Sequence, residues 1–116
     1  MEIQIFGTKK CADTRKALRF FSERRIKAHF VDLKQKAASV GELKRFVQKF
    51  GVEAVMDRGS KRFLSLGLRQ ADYSAERWLE ILAEEPLILK TPLARWKHRL
   101  TIGHQPDVWM EWMEES

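Results

Sequence analysis

The sequence predicts an α/β fold built on a mixed sheet, and three observations carry that expectation. A strand-like, a helix-like and a second strand-like segment follow one another within the first 33 residues. Two such strands joined by a helix pair in parallel, and the right-handed crossover rule puts the helix on one face. The middle of the chain reads as helical, with serine start signals at Ser39 and Ser74. The end of the chain reads as a hairpin followed by a last helix.

The first strand is Glu2-Ile3-Gln4-Ile5-Phe6, which gives way through Gly7-Thr8-Lys9-Lys10 to a helix from near Ala12 to about Arg25. Ala17, Leu18 and Phe21 share one stripe of it, with Arg15, Lys16, Arg19 and Glu23 mostly elsewhere. Residues 27–33 are rich in the types that suit a half-buried strand. After Lys34-Gln35-Lys36, Ser39 and Glu42 have capping-box spacing. Leu43, Phe46, Val47 and Phe50 then recur at helical intervals up to Gly51.

Between residues 52 and 68, Val55 and Met56 close a short helix, Arg58-Gly59-Ser60 makes a turn, and Phe63, Leu64 and Leu66 suggest another short helix. Ser74 caps a helix carrying Trp78, Leu79, Ile81 and Leu82, which Glu84-Glu85-Pro86 ends. Pro86-Leu87-Ile88-Leu89 reads as a short buried strand, and residues 93–96 and 99–103 as a hairpin turning near Lys97-His98. The last helix starts around Pro106 and aligns Val108, Trp109, Trp112 and Met113.

The 116 residues suffice for one domain, and 44% hydrophobic with 33% charged residues excludes a disordered chain. No apolar run approaches the roughly 18 residues that span a bilayer, and Glu2 in the first strand argues against a secretory signal, so a cytoplasmic location is expected. The net charge of +6 describes a basic, solvated surface; its Arg24-Arg25 and Lys34 to Lys36 clusters lack interleaved aromatics, which argues against nucleic acid. His29, His98 and His104 are scattered and form no metal pattern with one cysteine. No pair of carboxylates is placed for acid–base chemistry.

Cys11 is the only cysteine. It stands at the junction of the first strand and first helix, where unpaired backbone N–H groups and the cations Lys9, Lys10 and Arg15 should favour its anion. A lone thiol cannot close an internal disulfide, so any redox cycle takes its second sulfur from elsewhere. Thr14 either hydrogen-bonds the thiolate from the first turn or is a polar residue that this turn tolerates.

Four stretches carry a family resemblance: Phe6-Gly7-Thr8-Lys9-Lys10-Cys11 with Thr14-Arg15-Lys16-Ala17-Leu18; Met56-Asp57-Arg58-Gly59; Pro86-Leu87-Ile88-Leu89-Lys90-Thr91-Pro92-Leu93; and Leu100-Thr101-Ile102-Gly103. In this order the chain resembles the ArsC/Spx family, which joins glutaredoxin-dependent arsenate reductases, Spx transcription regulators and small thiol proteins. The resemblance implies a thioredoxin-like fold in one domain over 1–116, with a core over about 1–36 and 86–116 and a helical insertion over about 37–85, between the second and third of four strands.

By the same resemblance Cys11 matches the nucleophile, Arg58 an arginine of the oxyanion site, and Pro92 a cis proline that sets the Thr91 backbone beside an extended thiol peptide such as glutathione. Lys10, Thr14 and Arg15, taken from their places beside Cys11 in the chain, complete the expected anion site. Thr91 stands where the reductases carry arginine ahead of the proline, and Ile102-Gly103 where another arginine falls, so arsenate binding should be weak. Thr14 replaces the second cysteine of the Spx disulfide switch. The pattern is closest to monothiol, glutathione-dependent thiol reductases, with glutathione or glutaredoxin as partner and no bound cofactor. An Spx-like regulator that binds RNA polymerase and an arsenate reductase with a degenerate site are the alternatives. A monomer is the expected state.

Overall fold

The computed structural model describes residues 1–116, and its chain divides into two compact units, Met1–Asp32 with Thr91–Ser116, and Leu33–Lys90. In the first unit, β1 (Glu2–Gly7), α1 (Ala12–Glu23) and β2 (Lys27–Asp32) form the crossover read from the sequence. β1 and β2 are parallel, with Glu2 opposite Lys27 and Gly7 opposite Asp32. β3 (Leu93–Trp96) pairs antiparallel with the other side of β1, and β4 (Arg99–Ile102) antiparallel with β3. The sheet order is therefore β2-β1-β3-β4, four strands and mixed. The last helix of this unit covers Pro106–Glu115.

One buried cluster explains why these elements assemble. Ile3 and Ile5 of β1 and Ala94 and Trp96 of β3 meet Ala17, Phe20 and Phe21 of α1 and Trp109 and Trp112 of the last helix. Both helices therefore cover the same face of the sheet, each through its apolar stripe. Trp109 is fully buried, lies 5.3 Å from Phe20 and 5.2 Å from Phe21 by ring centroids, and donates its indole N–H to Thr101 Oγ1 at 2.9 Å.

α1 stops at Glu23, two residues short of the expected end. Arg25 takes a left-handed conformation (φ 58°), the Ile26 N–H reaches the Phe21 carbonyl at 2.9 Å and the Arg25 N–H the Ser22 carbonyl at 3.1 Å. This is a Schellman closure with arginine where glycine is favoured. Arg25→Gly is expected to stabilise the fold by about 0.5–1 kcal/mol; equilibrium urea unfolding measures it.

The second unit holds α2 (Val40–Phe50), α3 (Val52–Val55), α4 (Lys61–Ser65) and α5 (Ala75–Glu84), so the helix of the first unit just described is α6. Serine hydroxyls cap three of these helices in one geometry: Ser39, Ser60 and Ser74 each accept the N–H three residues on, from Glu42, Phe63 and Arg77, at 3.1 Å. Leu43 and Phe46 of α2, Phe63 of α4 and Trp78, Ile81 and Leu82 of α5 are buried. Phe50, expected on the apolar stripe, is exposed at the end of α2, and Leu64 is exposed on α4.

The strand expected at Pro86 to Leu89 is corrected by the structure. Pro86–Ile88 form a 3-10 turn, with the Ile88 N–H bonded to the Glu85 carbonyl and the Leu89 N–H to the Pro86 carbonyl. Proline's fixed φ suits a helical first turn as well as a strand start, and four apolar residues cannot separate the two by periodicity. Only Leu89 retains strand character, in an isolated bridge to Met56, beside bonds from the Asp57 N–H to the Ile88 carbonyl (2.7 Å) and the Lys90 N–H to the Val55 carbonyl (2.8 Å).

Candidate functional site

Cys11 is the N-cap residue of α1, with extended φ and ψ of −77° and 119°. Its N–H closes the preceding turn on the Thr8 carbonyl, and its own carbonyl accepts the Arg15 N–H, both at 3.1 Å. Unlike the three serine caps, the Cys11 side chain makes no cap hydrogen bond in its thiol form. The thiol donates instead to the Thr91 carbonyl at 3.7 Å. The half-buried sulfur is thus reachable and faces the start of the helix.

Ionisation reverses this arrangement. Partial burial pushes the thiol up, but the hydroxyls of Thr14 and Thr91 and the N–H groups of Thr14 and Asp13 outweigh it, leaving Cys11 below the ordinary thiol value. Asp13 and Thr14 are the second and third residues of α1, whose N–H groups have no intrahelical partner. A thiolate would take from them the bonds that the serine oxygens take in α2, α4 and α5.

Thr14 is fully buried, and its Oγ1 has no hydrogen-bond partner beside the uncharged thiol. A thiol whose hydrogen is directed at the Thr91 carbonyl is a poor acceptor; the thiolate is a good one, and the idle hydroxyl then gains a partner. The cations expected to do this work do not. Arg15 turns its guanidinium away, donating to the Lys9 carbonyl at 2.8 Å, and Lys10 is solvent-exposed. The Thr91–Pro92 peptide bond is cis, the form that the resemblance implies.

Arg58 lies in the second unit, just after α3. Its Nε donates to Glu53 Oε2 at 2.7 Å and its Nη2 to Glu53 Oε1, a bidentate pair. The guanidinium also lies over the rings of Phe63, at 5.4 Å, and Trp78, at 5.8 Å. Hydrogen bonding to Arg58 holds the Glu53 carboxyl below its usual range. The fork that an oxyanion would need is therefore already filled by a carboxylate of this chain. Sequence reasoning did not identify Glu53, although its spacing five residues ahead of Arg58 on a short helix was there to read.

The pH dependence follows from the lowered thiol. The thiolate contributes stability that is fully present above the unfolded value of about 8.5 and is lost as pH falls through the lower folded value. Cys11→Ser supplies a pH-independent cap like Ser39. The variant is therefore expected to exceed the parent by about 0.5–1 kcal/mol near pH 6 and to lose that lead as pH rises toward 9, in urea unfolding at each pH.

A four-stranded mixed sheet with a cysteine at the start of the first helix and a cis proline before β3 defines a thioredoxin-like fold. Residues 6–112 match the ArsC family model, and the chain belongs to the ArsC family. The global transcriptional regulator Spx 2 of Oceanobacillus iheyensis is 24% identical over 127 residues, covering 97% of this chain and 93% of that protein. The arsenate reductase of Neisseria meningitidis serogroup A is 28% identical over 107 residues, covering 88% and 90%. Among solved structures, an arsenate reductase from Vibrio cholerae shares the fold with a TM-score of 0.81 at 24% identity, over 96% of this chain and 97% of that one. No helix is long and apolar enough to cross a membrane.

Proposed function

We propose that this protein is a monothiol oxidoreductase that acts on disulfides, with glutathione as the resolving thiol. The observation that supports this reading best is a single sulfur whose anion is favoured by two hydroxyls and two helix-start N–H groups. The Cys11 thiolate attacks one sulfur of a mixed disulfide between a protein and glutathione. The old S–S bond breaks, the protein leaves as a thiolate, and Cys11 is joined to glutathione. A second glutathione thiolate attacks that bond, giving oxidised glutathione and restoring the Cys11 thiolate. Electrons and sulfurs balance with no second cysteine in the chain.

Incubation with oxidised glutathione, followed by mass measurement, tests the reading. One glutathione adduct on the parent and none on Cys11→Ser is the expected result. A parent that forms no adduct, and whose alkylation follows an unperturbed thiol near pH 8.5, overturns it.

A second reading draws on the Spx 2 relative, which matches 97% of this chain. Under it the protein binds RNA polymerase, and Cys11 is a modification site. Affinity purification from the host separates the two: stoichiometric polymerase retained by Cys11→Ser favours the regulator. Arsenate reduction has less support, because Glu53 occupies Arg58 and neither Thr91 nor Ile102-Gly103 supplies a guanidinium. Arsenate-dependent consumption of glutathione in the presence of glutaredoxin would reinstate it.

A further inference from the structure

Gly7 is the last residue of β1 and is buried, and nothing in its strand pairing demands glycine. What demands it is Thr14. A Cβ built on Gly7 would stand 2.7 Å from Thr14 Cγ2 and 3.1 Å from Thr14 Cβ, and closer still to Thr14 Oγ1. Ordinary Cβ contacts are longer than all of these, and a fully buried threonine on the first turn of a helix has little room to yield.

The contact has a chemical side. A threonine hydroxyl inside a helix commonly bonds a carbonyl one turn back. Thr14 Oγ1 makes no such bond and is left without a partner in a buried setting, an arrangement that costs about 1–3 kcal/mol when nothing relieves it. We propose that Gly7 is a positioning residue for the Cys11 thiolate: its missing side chain seats Thr14 against the end of β1, where the hydroxyl's one remaining partner is the sulfur. This rests on the reading of Cys11 as a reactive thiolate and adds the element that dedicates a hydroxyl to it. A side chain at position 7 would turn that hydroxyl away or lift the start of α1, and either change removes a donor from the anion without touching the sulfur.

The experiment compares the parent with Gly7→Ala, Thr14→Ala and the double variant. The pH profile of Cys11 alkylation by iodoacetamide is followed together with thermal unfolding. Gly7→Ala is expected to move the profile toward the ordinary thiol and slow alkylation several-fold near neutral pH, in the same direction as Thr14→Ala. The double variant should match Thr14→Ala in profile and melt no lower than Gly7→Ala, because an alanine at position 14 removes the two tightest contacts, Oγ1 and Cγ2, and leaves the new methyl group only the Cβ at 3.1 Å. A folded Gly7→Ala with the parental profile overturns the proposal, and so does a double variant in which the two shifts add. Should Gly7→Ala not fold, the double variant decides: one that folds with the Thr14→Ala profile sustains the proposal, and one that also fails to fold overturns it. A parent with an unperturbed thiol profile defeats the reading of Cys11 itself, and is told apart by needing no variant.

Discussion

Trp109→Ala is expected to destabilise the fold by about 3–5 kcal/mol, the range for emptying a fully buried aromatic site. Three losses combine. The indole is completely enclosed and packs on Phe20 and Phe21 of α1, so its removal opens a cavity under the sheet. Its N–H satisfies Thr101 Oγ1, and Thr101 on β4 is itself buried, so truncation leaves a hydroxyl short of its donor. α6 is held to the sheet face by Trp109 and Trp112 together, so one truncation takes away half of that pair. Trp109→Phe keeps ring contacts but not the hydrogen bond, and should cost roughly half as much. Equilibrium denaturation of both variants separates the cavity from the bond, and a Trp109→Ala loss under about 1 kcal/mol would contradict the packing described.

Thr14→Val is expected to change stability and reactivity in opposite directions. Valine has the shape of threonine and replaces a buried hydroxyl that has no partner beside the thiol, so the uncharged state should gain about 1–2 kcal/mol. The thiolate then loses the donor that most lowers its pKa, and alkylation near neutral pH should slow by roughly three- to tenfold. The gain in stability is largest well below the folded pKa of Cys11. It shrinks as pH rises, because only the parent hydroxyl stabilises the charged sulfur. A residue retained for packing alone would show no rate effect, so a variant both more stable and equally reactive would assign Thr14 to the scaffold. Trade-offs of this kind are what a polar group kept idle in a core for chemistry should show.

The scaffold was readable wherever local chemistry and periodicity agreed. Ser39, Ser60 and Ser74 sit at helix starts because a short hydroxyl pairs with the third N–H, and the two marked as caps from the sequence, Ser39 and Ser74, act as such. The first crossover was legible because a strand, a helix and a strand in so short a span have few ways to pack. Residues 86–89 were not, since a proline-led apolar tetrapeptide suits a strand and a helical turn equally. At the site, the position of Cys11 as helix cap was in the sequence. The source of its acidity was legible in part: the helix-start N–H groups and the Thr14 hydroxyl act as read, whereas Lys9, Lys10 and Arg15 are adjacent only in the chain, and side chains as long as these settle elsewhere, as Arg15 does on the Lys9 carbonyl. The contact of Gly7 with Thr14 depends on the angle at which a strand feeds a helix, which composition does not encode. Likewise, an arginine in a matching position says nothing of the carboxylate that holds it, as Glu53 holds Arg58.

The bond from the Cys11 thiol to the Thr91 carbonyl gives the molecule a built-in spectroscopic reporter. Sulfhydryl stretching falls in an infrared window where proteins are otherwise nearly transparent, and a chain with one cysteine contributes one such band. Its frequency registers the strength of the contact to the amide oxygen, and its fading with alkali traces the departure of a single proton without any label or reagent.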